Sequence, residues 1–407
     1  TTVGEIFRIH GPAYLKTFGG KIPPDHRRAI NSLASCRTGK LGWHVYECSA
    51  CKEVHYVNHS CRNRSCPLCH STHRENWLAS RYNELLPTRY FHVVFTLPEE
   101  LRRVVRANPQ QLLNALMTAA GRSLLKLTAD SKFIGGKTGI TTVLHTWTAA
   151  MEYHPHVHCV VPAGGIDGFL WRDSRKGFLV PVKALSKIFR GMFLEIARKV
   201  LPDIEFSDEL LKKSWVVFAK PAPPKVETLI NYLGRYVHRV AISNDRIISA
   251  DNGQVTFQWK DSRDGRKKVM KLPVFEFMRR FLQHVLPSGF HKVRYFGFMS
   301  PSNRRTFRRV QMLLWMKAGS AFPEKPAAKR EFRCNTCGNG VLITVGFTAN
   351  RPGRHHEANT TLSATSNRPD FTVLPTLSVD NKLPVKALHL LAEVRPSLPK
   401  SAFQPQS

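Results

Sequence analysis

Six of the nine cysteines crowd between Cys36 and Cys69, and no other stretch constrains the fold as tightly. Cys48-Ser-Ala-Cys51 and Cys66-Pro-Leu-Cys69 are two CxxC knuckles with fourteen residues between them. Two such turns can present four thiolates to one tetrahedral Zn²⁺, so a small structural zinc-binding unit is expected here. A redox role needs one CxxC beside a βαβ pattern, and that context is absent. Cys36, His55, His59 and Cys61 lie at useful distances and either complete a second zinc site or merely pack and cap. Four protein ligands leave no open position for chemistry. Arg62 and Arg64, between potential ligands, are expected to face DNA phosphates. Residues 36–70 look too irregular for a packed helix or strand. Cys334-Asn-Thr-Cys337 is a third knuckle that either meets a remote pair or stands as an unpaired remnant.

The charge points to a polyanionic partner. There are 61 Lys and Arg against 29 Asp and Glu, a formal +32. Each phosphate neutralised by such a surface releases counterions, and nucleic acid is the usual partner. A lipid-binding chain would gather its basic residues beside an apolar anchor, whereas Arg294, Arg304, Arg305, Arg308 and Arg309 are spread among aromatics. No apolar run approaches the roughly eighteen residues of a membrane span. The start of the sequence shows no charged-then-apolar leader. The expected address is the bacterial cytoplasm, with nucleoid association.

Strand-like and helical segments alternate without a βαβ repeat. Residues 90–97, 139–147, 156–162, 214–220 and 291–298 read as strands, and Asn252-Gly253 signals a hairpin. Helical patterns cover 74–87, the Leu112–Leu125 stretch, 183–200, 225–238, 273–286 and 303–317. The short link before 156 makes an antiparallel pair with 139–147. The expected class is α+β, with a central antiparallel sheet and flanking helices. The expected division is a zinc-binding domain at 1–80, a catalytic domain at 81–300, a basic segment at 301–345 and a largely disordered tail at 346–407. Gly136-Lys137-Thr138 looks like the end of a P-loop, but Ser131 stands where that motif needs glycine and a strand follows.

Two constellations carry chemistry. In His154-Pro-His156-Val-His158, alternate side chains share one strand face, so His156 and His158 project together and suit a divalent metal. Two surface histidines also arise by chance, so the motif alone is weak. In NYLGRYVHR, Tyr232 and Tyr236 lie four apart on an expected helix and share a face. Such spacing commonly marks a packed core stripe. Arg235, His238 and Arg239 surround the pair with positive charge, which favours a DNA-facing role. A tyrosine hydroxyl is a poor nucleophile at neutral pH. A metal that polarises the scissile phosphate makes its attack feasible, leaving a 5′-phosphotyrosine and a free 3′-hydroxyl.

The chain resembles the insertion sequence 91 family of transposases, two-tyrosine enzymes named for a His-hydrophobic-His (HUH) motif. The resemblance spans roughly residues 30–340. It rests on CRTGKLGWHVYEC and SCRNRSCPLC, then FTLPEELR, LHTW, HPHVHCVVPAGG, NYLGRYVHRVAISN and FEFMRRFLQHVLPSGFHKVRYFGF, in that order. It implies structural Zn²⁺, a catalytic Mg²⁺ or Mn²⁺ and rolling-circle transposition through single-stranded DNA and the ends of the element. It implies that His156 and His158 hold the metal and that Tyr232 and Tyr236 are the nucleophiles. A third ligand comes from His154, His145 or Glu152. The alternatives are an HUH replication initiator or relaxase, or a zinc-finger DNA-binding protein without catalysis.

Overall fold

The computed structural model describes residues 1–69, 84–222, 234, 237, 240–261, 264–319 and 332–348. The expected helix at 74–87 and the tail at 346–407 fall largely outside these residues. Two helices open the chain, α1 (Val3–Phe18) and α2 (Pro24–Ser35). They lead into β1 (Trp43–Cys48) and β2 (Val54–Asn58). Next come β3 (Tyr90–Thr96), α3 (Arg102–Ala107) and α4 (Pro109–Ala129). The pair β4 (Gly139–Trp147) and β5 (Tyr153–Pro162) follows, then the hairpin β6 (Gly164–Asp167) and β7 (Leu170–Asp173). After α5 (Val182–Val200), α6 (Asp208–Lys212) and β8 (Val217–Pro221) comes a meander of β9 (Ile247–Asp251), β10 (Gln254–Lys260) and β11 (Lys267–Pro273). Last are α7 (Val274–Leu282), β12 (Val293–Gly297), α8 (Arg304–Ala318) and β13 (Leu342–Phe347). This mixture of helices and antiparallel sheets is α+β.

The central sheet has five antiparallel strands in the order β12-β4-β5-β3-β8. Its two faces differ because side chains alternate along each strand. One face presents Val93, Phe95, Ile140, Leu144, Val157 and Val161 to α4 and α5, forming the largest buried cluster. Each large side chain fully buried there stabilises the fold by about 1.5–3 kcal/mol. A one-residue slip in register would turn this apolar set outward, so packing on α4 and α5 fixes the opposite face too. That opposite face carries the histidines.

The meander β9-β10-β11 packs with α1, α2 and α7 around Phe7, Phe257, Phe277 and Phe281. Its first turn is Asn252-Gly253, both with positive φ (51° and 70°), the conformation a two-residue hairpin turn requires. β11 was not evident in the sequence, because KKVMKLP is dominated by lysine.

The cysteine region does contain strands, contrary to the irregular structure expected there. β1 pairs with β2 and also with β13, giving the order β13-β1-β2. Most positions of these strands are exposed or half-buried, so they lack the apolar alternation by which strands are recognised. Their backbone ladders, and the cysteines at their turns, hold them instead.

Candidate metal centres and active site

Three groups of ligand atoms each gather within 4.8 Å of one another: Cys36, Cys61, Cys66 and Cys69; Cys48, Cys51, Cys334 and Cys337; and His145, His156 and His158. The expected pairing of Cys48 and Cys51 with Cys66 and Cys69 is therefore corrected. Each knuckle belongs to a different tetrad, and the third knuckle is the missing half of one. The cause is the ladder between β1 and β13, which pairs Cys48 with Leu342 and brings the turn 334–340 against the turn after β1.

The sulfur geometry fits zinc. A regular tetrahedron with Zn–S of about 2.3 Å has S···S edges of about 3.8 Å. In the first tetrad Cys36–Cys69 and Cys61–Cys69 are 3.6 Å apart, and Cys66–Cys36 is 3.7 Å. In the second, Cys48–Cys337 is 3.6 Å and Cys51–Cys334 is 3.8 Å. Such spacings are far too long for disulfides, whose S–S bond is about 2.05 Å. Backbone N–H groups of Ala50 and Gly340 point at Cys48 and Cys337 sulfurs, each at 3.4 Å, as a thiolate needs. A Cβ on Gly340 would meet Cys48 Sγ at 2.2 Å, so only glycine fits that turn. His55 Nε2 lies 3.2 Å from Cys334 Sγ, at the border of the second tetrad. His59 Nδ1 donates to the Leu41 carbonyl at 2.9 Å and is not in either group.

The histidine group arises from the register of β4 on β5. His145 is directly opposite His156, and His158 lies two residues further along the same face. His145 is thus the third imidazole of the group. His154 is not in it, although it shares the strand face. Its Nδ1 accepts from Arg102 Nη2 at 3.0 Å, and burial, then Arg102, lowers its pKa. Glu152, exposed in the loop before β5, is also outside the group.

Hydrogen bonds orient two of these rings. His156 Nδ1 donates to the His154 carbonyl at 2.7 Å, which leaves Nε2 as the ring's lone-pair nitrogen. His158 Nδ1 is 2.8 Å from His92 Nε2, and the two rings lie nearly parallel. His92 sits on β3, and burial pushes its pKa down to about 4, with Lys220 and His156 adding repulsion. His92 is a site residue that reading the sequence missed. The available signal was a histidine inside the otherwise apolar run YFHVVF. Trp147 stacks on His145 at 4.7 Å, and the Lys292 ammonium lies 5.1 Å from the Trp147 ring.

The expected DNA-facing arginines divide. Arg62 is exposed, with φ of 51°. Arg64 is instead committed to the protein: its guanidinium donates to the carbonyls of Phe290 and Leu286, each at 2.7 Å, and to Pro287. It straps the zinc-binding loop to the chain leading into β12. Tyr232, Tyr236, Arg235 and Arg239 lie outside the described residues. Gly234 and Val237, between them in sequence, are helical and buried. No helix among the described residues is long and apolar enough to cross a membrane.

Comparison with known proteins places the chain among transposases. A family described as "Transposase zinc-binding domain" matches residues 6–97, and one described as "Putative transposase" matches residues 139–306. The chain is 39% identical over 378 residues to "Putative transposase y4qJ" of Sinorhizobium fredii, covering 84% of this chain and 94% of that protein. It is 28% identical over 346 residues to the "Transposase for insertion sequence element IS801" of Pseudomonas savastanoi pv. phaseolicola, covering 78% and 83%. No solved structure matches it.

Proposed function

Because this chain belongs to the insertion sequence 91 family of transposases, we propose that it nicks and rejoins single-stranded DNA through tyrosine in rolling-circle transposition. The observation that carries this reading is the group of His145, His156 and His158 on the sheet face opposite the main core. Three imidazoles gathered there suit a divalent cation, proposed as Mg²⁺ or Mn²⁺, which would polarise the scissile phosphate. The His154 carbonyl leaves Nε2 of His156 as its lone-pair nitrogen, and the contact of His92 with His158 would help orient that ring toward a bound cation.

Tyr232 and Tyr236 are the proposed nucleophiles. The tyrosine Oη attacks phosphorus and forms an O–P bond. The P–O3′ bond breaks, and the 3′-oxygen leaves as a hydroxyl after taking a proton. The adduct conserves the phosphodiester energy, so rejoining needs no nucleotide hydrolysis. Two tyrosines let one hold the first 5′ end while the other attacks.

The two cysteine tetrads are read as structural Zn²⁺ sites. On this reading residues 1–80, completed by 332–348, form the zinc-binding part, and 81–300 the catalytic part. The partner is the single-stranded end of the element, and the work is done at the bacterial nucleoid. The test is covalent attachment of the full chain to a single-stranded oligonucleotide carrying an element end, in the presence of Mg²⁺ or Mn²⁺.

A further inference from the structure

The three-histidine group has a neighbouring cleft with its own charge pattern. A cavity of about 620 Å³ is walled by α3, α7 and the first residue of β5, Tyr153. Five arginines line it: Arg102, Arg103 and Arg106 from α3, and Arg279 and Arg280 from α7. Three of them already have carboxylate partners, two of them sharing one. Arg102 holds Glu99 at 3.0 Å, and Glu276 takes Arg279 and Arg280 at 2.6 and 2.7 Å. Glu100, also at the rim, is held by Lys213 at 2.6 Å. Arg103 and Arg106 are left over. They are exposed, one helical turn apart on one face, and without an ion-pair partner among the described residues. Against them stands one further carboxylate, Glu152, so the cleft keeps a positive excess.

The cleft borders the histidines. Arg102 Nη2 donates to His154 Nδ1 at 3.0 Å, and the His154 and His156 rings are 5.4 Å apart. A strand threaded through the cleft would thus continue along β5 to the three imidazoles. A cleft of about 620 Å³ is large enough to admit a base with its phosphate.

We propose that this cleft binds the single-stranded DNA flanking the scissile phosphate, with Arg103 and Arg106 each neutralising one phosphate. The proposal rests on the reading that the substrate is single-stranded. Each neutralised phosphate adds about 0.7 to the dependence of log K on log salt for a single strand. Losing two should lower the slope by about 1.4, shrinking the wild-type advantage about sevenfold between roughly 50 and 200 mM salt.

The test uses the full chain and a fluorescent mixed-sequence single-stranded oligonucleotide, titrated across that salt range. Arg103→Gln with Arg106→Gln is compared with Lys183→Gln with Lys187→Gln. The latter removes the same charge from exposed positions of α5, which does not line the cleft. The expected result is a reduced slope for the arginine pair only. An unchanged slope, or an equal fall in the lysine pair, overturns the proposal. An equal fall on a duplex of the same sequence overturns the single-strand assignment. Wild-type adduct formation is scored separately, so failure of the cleavage reading stays distinguishable from failure of the cleft.

Discussion

Cys48 Sγ stands 3.6 Å from Cys337 Sγ although 289 residues separate them in the chain. This contact closes the N-terminal cysteine strands with the end of the described chain, through β13 lying on β1. The zinc-binding region is therefore assembled from segments far apart in sequence, and Gly340 packs against the Cys48 sulfur to allow it.

Two zinc ions per chain are expected. Cys337→Ser should release one and keep the other, and Cys61→Ser should do the reverse. The double variant Cys48→Ser, Cys66→Ser should lose both, since those residues lie in separate tetrads. Metal analysis of purified protein measures this directly. Two full equivalents retained in the double variant would refute the assignment.

His92 is expected to act on the metal site through His158. Partners that orient a ligating histidine are typically worth about 10–100-fold in metal affinity or activity. His92→Phe should therefore raise the Mn²⁺ concentration needed for adduct formation by about that factor. Its affinity for single-stranded DNA should be unchanged. An unaltered metal requirement would show that the 2.8 Å contact with His158 has no such role.

The folded state should weaken in acid through His284. This ring is buried, its Nε2 donating to the Met151 carbonyl and its Nδ1 accepting from Thr146, both at 3.2 Å. Burial pushes its pKa down to about 3. The unfolded chain takes up a proton at about pH 6.5 that the folded chain refuses. Stability contributed by the neutral ring is thus present above about pH 6.5 and falls as pH drops toward 3, at up to about 1.4 kcal/mol per pH unit. Urea midpoints of wild type and His284→Gln between pH 7 and 4.5 should diverge, with the wild type falling more steeply. Parallel curves would contradict this account.

Local patterns were legible in the sequence, and long-range partners were not. The strand at 139–147 coincides with β4, and the alternation in HPHVH does place His156 and His158 on one face. The third imidazole could not be read along β5, because it depends on the register with β4: His145 lies across from His156, while Arg102 engages His154. Likewise, CxxC spacing identifies a knuckle but not its mate. Two knuckles fourteen residues apart look like a pair until β13 delivers a third to Cys48. Arg64 looked like a phosphate contact because a sequence shows its charge but not the carbonyls of Phe290 and Leu286 that receive it.

The proposed reaction is tyrosine-mediated cleavage on the histidine face. Phe at Tyr232 or Tyr236 keeps the ring and removes only the hydroxyl proposed as the nucleophile. The most direct measurement is covalent attachment of protein to a labelled single-stranded element end, resolved on a denaturing gel. Wild type should form a Mg²⁺- or Mn²⁺-dependent adduct, retained by at least one single Tyr→Phe variant and absent from the double variant Tyr232→Phe, Tyr236→Phe. An adduct persisting in that double variant, or forming undiminished in chelator, would contradict it.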